Sequence, residues 1–280
     1  MTKATILIPA HNEEAVIART LWYLSKGLPL DDFRVVVIAN GCSDATAARA
    51  RAVMPHAEVI ETERRGKCHA LNLGFEASCK SAPIVCLDAD LDVTSESLAA
   101  LLAPLKNGAA LASCGKMEVI TSESSAAVRA FYHGWRSNPY FSQGKFGGLF
   151  ALSPEGAARV FPLPEIIADD EYIRRSFGKQ EVTFVPECSF LARAPFGLPE
   201  LIKVRRRSLR GAQQVTRLGK PNPERKSPVK MLRRALVSRS DTLPIAFFLL
   251  VMSWVRLCLM FEGHATSLRW ERDLSSRAAG

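Results

Sequence analysis

The chain has 280 residues and a formal net charge of +9 at pH 7, with 48% hydrophobic and 23% charged residues. This composition is that of a globular protein and excludes disordered, collagen-like and fibrous classes. The length suffices for a core without disulfide or metal staples, in one large domain or one domain with an appendage.

The cysteines (Cys42, Cys68, Cys79, Cys86, Cys114, Cys188 and Cys258) are seven, an odd number, with no CxxC and no metal-site spacing. They read as free thiols of a reducing compartment. The opening MTKATILIPAHNEE lacks the cleavage site and long apolar run of a secretory signal, so the body of the protein is expected in the cytoplasm.

In chain order, Thr5 to Pro9 (TILIP) predicts a strand, and Glu14 to Lys26 a helix with apolar residues at Val16, Ile17, Leu21 and Leu24. Arg34 to Ala39 (RVVVIA) is a β-branched strand, followed by a helix from Ser43 to Val53. Ala57 to Ile60 predicts a third strand, Gly66 to Cys79 a helix, and Pro83 to Leu87 (PIVCL) a fourth strand. Four βα units with nearly continuous apolar strands predict an α/β, Rossmann-like, mostly parallel sheet covered by helices on both faces. Ligands of such sheets bind at the carboxyl ends of the strands.

Those ends are polar. His11-Asn12-Glu13-Glu14 follows the first strand and Asn40-Gly41-Cys42-Ser43-Asp44 the second. Arg64-Arg65-Gly66-Lys67 precedes the third helix, and Asp88-Ala89-Asp90 follows the fourth strand, with Asp92 just beyond. Each alone has a structural use; Ser43 and Asp44, for instance, suit a helix start. Four such groups on one edge point to a ligand. Two carboxylates two residues apart at a strand end can share a hard cation, and Mg²⁺ or Mn²⁺ is commonly held by one or two carboxylates plus phosphate oxygens. His11, His69 and His133 show no partner at ligand spacing and read as structural.

The order ILIPAHNEE, VVVIANGCSDAT, RRGKCHALNLGF, IVCLDADLDV, GGLFALSPEG and IIADDEYIRRSF resembles the family 2 glycosyltransferases of GT-A fold, over roughly residues 3 to 215. The resemblance implies inverting transfer of a sugar from a nucleotide diphosphate donor to an acceptor hydroxyl, with a divalent metal, Mn²⁺ or Mg²⁺. It implies that Pro9, Asn12 and Glu13 line the nucleotide pocket and that Lys67 faces the base and diphosphate. Asn40 falls where many members carry an Asp that pairs with uracil. Asp88 would contact the ribose or the metal, Asp90 would ligate the metal, and Asp169-Asp170 matches the family's Glu-Asp pair. Asp170 would be the base, with Asp169 the alternative.

The chain departs from the processive members. Their Gln-x-x-Arg-Trp motif is replaced by Val204-Arg205-Arg206-Arg207-Ser208, running on to Arg210-Gly211, which argues for addition of a single sugar. Arg207 or Arg210 would help bind the diphosphate, since guanidinium matches phosphate geometry. A lipid phosphate is a second acceptor class, and one that needs no deprotonating base. A non-catalytic nucleotide- or membrane-binding member is the third reading.

Residues 201 to 240 hold 13 Lys or Arg and one acid, Glu224, while the remainder holds 24 basic and 27 acidic residues. The basic stretch has few interleaved aromatics, which argues against nucleic acid. It leads into Leu243 to Phe261, LPIAFFLLVMSWVRLCLMF, which as a helix would be about 28 Å long, close to a bilayer core. A single span, an interfacial helix and a buried soluble helix are all compatible with this run, and the flanking charge favours the first two. The expected organisation is a catalytic domain over 1–215, a basic juxtamembrane linker over 216–242, a membrane-associated helix over 243–261 and a polar tail over 262–280. The chain is thereby expected at the cytoplasmic face of the cell membrane, with a glycan or lipid-linked acceptor.

Overall fold

The structure is a computed structural model that describes residues 4–27, 33–106, 108–136, 146–222 and 239–261. Most of the expected linker and all of the polar tail lie outside the described residues.

The four βα units form as the apolar runs dictate. β1 (Ala4–Ala10) leads to α1 (Ile17–Ser25), β2 (Phe33–Asn40) to α2 (Thr46–Val53), and β3 (Glu58–Thr62) to α3 (Lys67–Ala77). β4 (Ile84–Leu87) and the short β5 (Asp92–Val93) precede α4 (Ser95–Lys106). β6 (Ala112–Ile120), α5 (Ala126–Arg136), β7 (Leu149–Leu152), α6 (Pro154–Val160) and α7 (Asp169–Arg174) follow. β8 (Val182–Arg193), α8 (Leu198–Arg217) and α9 (Arg239–Phe261) complete the described chain.

The sheet has eight strands in the order β3-β2-β1-β4-β7-β6-β8-β5. β3, β2, β1 and β4 are parallel neighbours. β7 enters antiparallel between β4 and β6, β8 runs parallel to β6, and β5 closes the far edge antiparallel to β8. The chain winds outward from β1 to β3, then returns to β1's other side with β4. That reversal opens a crevice beyond the carboxyl ends of β1 and β4, where open α/β sheets bind ligands.

The parallel strands are apolar on both faces because both are covered. Ile6, Ile8, Val35, Val37, Val85 and Leu87 join one buried cluster with Leu21 of α1 and Leu98 and Leu101 of α4. The alternate residues Leu7, Val36, Ile38, Ile84 and Cys86 join a second cluster with Leu71 of α3. A third cluster combines α5 (Val128, Phe131, Trp135), Leu201 of α8, and Ile245, Phe248, Val251 and Val255 of α9. The apolar C-terminal run is therefore docked on the domain along one of its faces. Cys68, Cys86, Cys114 and Cys188 are buried, and burial pushes their thiols up, Cys68 to about 12, which suits inert core residues.

Candidate active site

A cavity of about 870 Å³ opens at the crevice between β1 and β4. Pro9, Glu13, Asn40, Lys67, Asp88, Asp90, Asp169, Asp170 and Arg207 line it, so nine of the residues singled out in the sequence converge on one space.

The centre of the site is Lys67, at the first position of α3. Its Nζ lies 2.7 Å from Asp88 Oδ1 and 2.9 Å from Asp169 Oδ2. The Lys67 side chain is 17% exposed and that of Asp169 only 4%. Burial alone would lower the Lys67 pKa, but the charges of Asp169, Asp88 and Asp170 outweigh it and hold the ammonium well above its ordinary range. Burial raises Asp169 to about 6 against the pull of Lys67, with the charges of Asp170 and Asp88 adding to the rise.

The loop carrying Asp88 and Asp90 is pinned from α1. Thr20 Oγ1 donates to the Ala89 carbonyl at 2.8 Å, and Arg19 Nε donates to Asp92 at 2.9 Å. Asp92, with its side chain 2% exposed, also accepts from Arg193 at 2.8 Å. It is the buried anchor of this loop and is absent from the cavity lining. Asp88 and Asp90 thus present two hard carboxylates from a braced turn. No set of three His, Cys, Asp or Glu side chains that could hold a metal occurs among the described residues. The donor set fits a hard divalent cation that takes its remaining ligands from phosphate oxygens and water, as Mg²⁺ and Mn²⁺ sites do.

Asp170 stands beside Asp169 in the first turn of α7, a place the helix dipole favours for acids. Asp169 faces Lys67, whereas Asp170 Oδ1 accepts a local bond from the Glu171 amide at 2.8 Å. α7 is held to α8 by Glu171 and Arg175: Arg175 pairs with Glu171 at 2.8 Å and donates to Thr216 Oγ1 and the Lys220 carbonyl, each at 2.8 Å. Among these contacts, burial would raise Glu171, but its bonds to Arg174 and Arg175 keep its carboxyl below the usual range.

Asn40 is buried and its amide is already engaged. Nδ2 donates to the Ala10 carbonyl at 2.8 Å, and Oδ1 accepts from the Gly66 amide at 3.0 Å. This side chain therefore braces the turn that presents Lys67. Asn12 lies outside the cavity lining. Its Oδ1 accepts from the Ser43 amide at 2.7 Å, tying the loop after β1 to the loop after β2 at a backbone φ of 50°. Arg207 reaches the cavity, while Arg210 is not among its lining residues.

The family model described as Glycosyl transferase family 2 matches residues 5–155, more than half of the chain. The chain belongs to glycosyl transferase family 2. It is 30% identical over 140 residues to the probable glycosyltransferase YdaM of Bacillus subtilis (strain 168), an alignment that covers 46% of this chain and 33% of that protein. The chain thus spans about a third of that relative's length.

Two solved structures share the GT-A fold. A mannosyltransferase from Pyrobaculum calidifontis, in complex with GDP-Man and Mn²⁺, superposes with a TM-score of 0.60 at 20% identity, over 95% of this chain and 81% of that one. Glucosyl-3-phosphoglycerate synthase from Mycobacterium tuberculosis, in complex with Mn²⁺, UDP-Glc and glycerol 3-phosphate, superposes with a TM-score of 0.57 at 22% identity, over 79% of this chain and 82% of that one.

The cavity also has lining residues that the sequence alone did not single out. Gly148 lines the cavity against Asp88, and in the sequence the Gly147-Gly148 pair stood only at the head of GGLFALSPEG, with no role assigned to it. The opposite wall of the cavity comes from α5, β8 and α8 through Tyr132, Trp135, Arg193 and Arg205. Arg205 donates to Tyr132 Oη at 3.1 Å and its guanidinium lies 5.3 Å from the Trp135 ring centre. His11, read as structural, does line the cavity, and its Nδ1 lies 2.7 Å from the Asn40 carbonyl.

Proposed function

We propose that this glycosyltransferase moves one sugar, with inversion, from a nucleotide diphosphate sugar to the hydroxyl of a glycan or lipid-linked acceptor. UDP is the favoured nucleotide, and the setting is the synthesis of cell-surface polysaccharide or glycolipid. The observation that carries this reading is the half-buried Lys67, whose ammonium holds Asp88 and Asp169 within one cavity. It joins the carboxylates at the end of β4 to the acidic pair on α7.

Asp90 and Asp88 would hold Mn²⁺ or Mg²⁺, and the bound ion supplies Lewis-acid stabilisation of the leaving diphosphate. The remaining chemistry belongs to the chain. The acceptor hydroxyl attacks the anomeric carbon, its proton passes to Asp170, and the electrons of the breaking bond leave with the nucleoside diphosphate. Asp170 suits this role better than Asp169, whose use as a base would require breaking its ion pair with Lys67. Arg207 faces the same cavity and can neutralise phosphate oxygens. Glu13 and Pro9 line the donor side at the end of β1. The missing Gln and Trp of the processive motif support transfer of one sugar per acceptor.

A second reading is favoured by the wall of Tyr132, Trp135 and Arg205, which is aromatic and cationic. No acid of α5, β8 or α8 is among the described lining residues. Such a wall suits an acceptor that carries a phosphate beside an apolar portion, including a lipid phosphate that attacks without a base. Activity surviving in Asp170→Asn would favour that reading.

The test is a panel of nucleotide sugars assayed for donor hydrolysis and for thermal stabilisation, with and without Mn²⁺. A metal-dependent response to one uridine diphosphate sugar is expected. Silence across the whole panel would sink the enzymatic reading.

A further inference from the structure

α9 runs from Arg239 to Phe261, and its Asp241–Phe261 stretch contains an 18-residue window with a mean hydropathy of 2.1, enough in length and composition to cross a bilayer. Its placement in the fold argues for a different use. Ile245, Phe248, Val251 and Val255 are at most 7% exposed and close the third core cluster against α5 and α8. Phe248 packs against Phe131 with ring centres 5.2 Å apart and ring planes tilted by 47°. Gly134 of α5 leaves no room for a Cβ beneath Pro244 and Phe248, so the two helix backbones are in close contact. His133 Nε2 lies 3.0 Å from Asp241 Oδ1 at the start of α9.

The other face of α9 is also apolar, and it is bare. Leu243 is 79% exposed, Leu250 67%, Trp254 54%, Leu257 43%, Met260 81% and Phe261 82%. The spacings of seven, four, three and four residues from 243 to 250, 254, 257 and 261 put these side chains along one stripe. Arg256 lies off this stripe, on its flank, where its guanidinium can reach water beside a lipid surface.

We infer that α9 lies flat in the interface of an anionic bilayer, its exposed stripe in lipid and its core face on the domain, so that the chain is monotopic and α9 does not span. A span would immerse every face of α9, and its core face is bound to helices rich in charge. α5 carries Arg129, His133 and Arg136, and α8 carries five Lys or Arg between residues 203 and 210. Crossing the bilayer would drag these groups into hydrocarbon or strip α9 from Phe131 and Trp135.

Charge selects the occupant. Residues 201–240, which include most of α8 and lead directly into α9, hold 13 basic residues against one acid. Two copies of the chain joined through the stripe would bring two such stretches together. An anionic leaflet turns the same charge into attraction. The stripe supplies the apolar half of an interfacial helix and Trp254 its amphipathic ring. On the cell membrane this keeps the cavity at the cytoplasmic face, beside the supply of nucleotide sugar. The inference goes beyond the proposed reaction and stands or falls separately from it.

The experiment is flotation of the full chain with phosphatidylcholine vesicles, with and without phosphatidylglycerol, for wild type and for Leu250→Gln/Trp254→Gln/Leu257→Gln. A protease site added after Gly280 reports the side of the membrane on which the tail lies. The wild type should float with the anionic vesicles. The triple variant should lose roughly tenfold in partitioning while keeping the wild-type melting temperature, because its altered side chains are exposed and are not members of the buried cluster. Phe248→Ala should do the reverse and melt earlier. The added site should be cleaved from the side that carries the catalytic body. Cleavage only from the opposite side would establish a span and overturn the inference. So would undiminished flotation of the triple variant, or a wild-type dimer that the triple variant abolishes in the absence of any vesicle binding.

Discussion

Gly148 stands so close to Asp88 that a Cβ on it would lie 2.5 Å from Asp88 Oδ2, and its φ of +93° is one that side chains rarely adopt. The Gly148 carbonyl also accepts the Asp88 amide hydrogen at 2.8 Å. The end of β4 and the turn before β7 are therefore fitted to each other, and the position of the Asp88 carboxylate depends on a residue without a side chain.

Gly148→Ala should strain the backbone by about 1–3 kcal/mol and push Asp88 away from Lys67. The expected result is donor affinity weakened by about tenfold in the presence of Mn²⁺, with the protein still folded. Calorimetric titration with the donor, beside a thermal melt, reads both effects. Wild-type affinity in this variant would mean that the Asp88 carboxylate plays no part in donor binding.

Lys67→Met keeps the length of the side chain and removes its charge, leaving Asp169 buried without its cation. Loss of one partner of a buried pair costs about 3–5 kcal/mol. The loss should depend on pH in a definite direction. The Asp169 carboxyl sits at about 6, above its ordinary 3.8, so the folded chain holds this proton more tightly than the unfolded chain does. The stability contributed by protonation is full below about pH 4 and is lost as pH rises through the folded value. Without Lys67 that value rises further, so Lys67→Met should be weakest near pH 8 and recover part of its stability near pH 5. Melting temperatures across this range check it. A deficit that does not change with pH would show that Asp169 is not the group left uncompensated.

Asp170→Asn retains shape and removes the proton acceptor. Turnover should fall by roughly 10² to 10⁴ with donor affinity little changed. Asp169→Asn should instead disturb stability and the seating of Lys67, with a smaller direct effect on the chemical step. Steady-state kinetics of the two variants separate the roles. The larger loss of turnover in Asp169→Asn would move the base by one residue.

Much of this architecture was legible from the sequence. β1, β2 and β4 announced themselves because strands covered on both faces are continuously apolar, and the acidic turn after β4 stood out against PIVCL. The antiparallel entry of β7 between β4 and β6 was not legible, since LFAL carries no mark of strand direction. Nor was the bond between Lys67 and Asp169, which only the assembled sheet brings together. Asn12 and Ser43 illustrate a further limit: both belong to polar strand ends, yet they bond to each other and leave the cavity to their neighbours. The apolar run over 243–261 was recognisable as a helix, but hydropathy alone could not reveal that one of its faces belongs to the core. That depends on Gly134, which admits the helix against α5.

The central claim is that Asp88 and Asp90, at the end of β4, bind the donor's diphosphate through a divalent cation. Its most direct test is calorimetric titration of a uridine diphosphate sugar into wild type and Asp90→Ala, each with Mn²⁺ and again after chelation. The account predicts that wild type binds with Mn²⁺, loses at least about tenfold in affinity on chelation, and that Asp90→Ala is as weak with the metal as wild type is without it. Wild-type affinity in Asp90→Ala, or binding indifferent to the chelator, would contradict it.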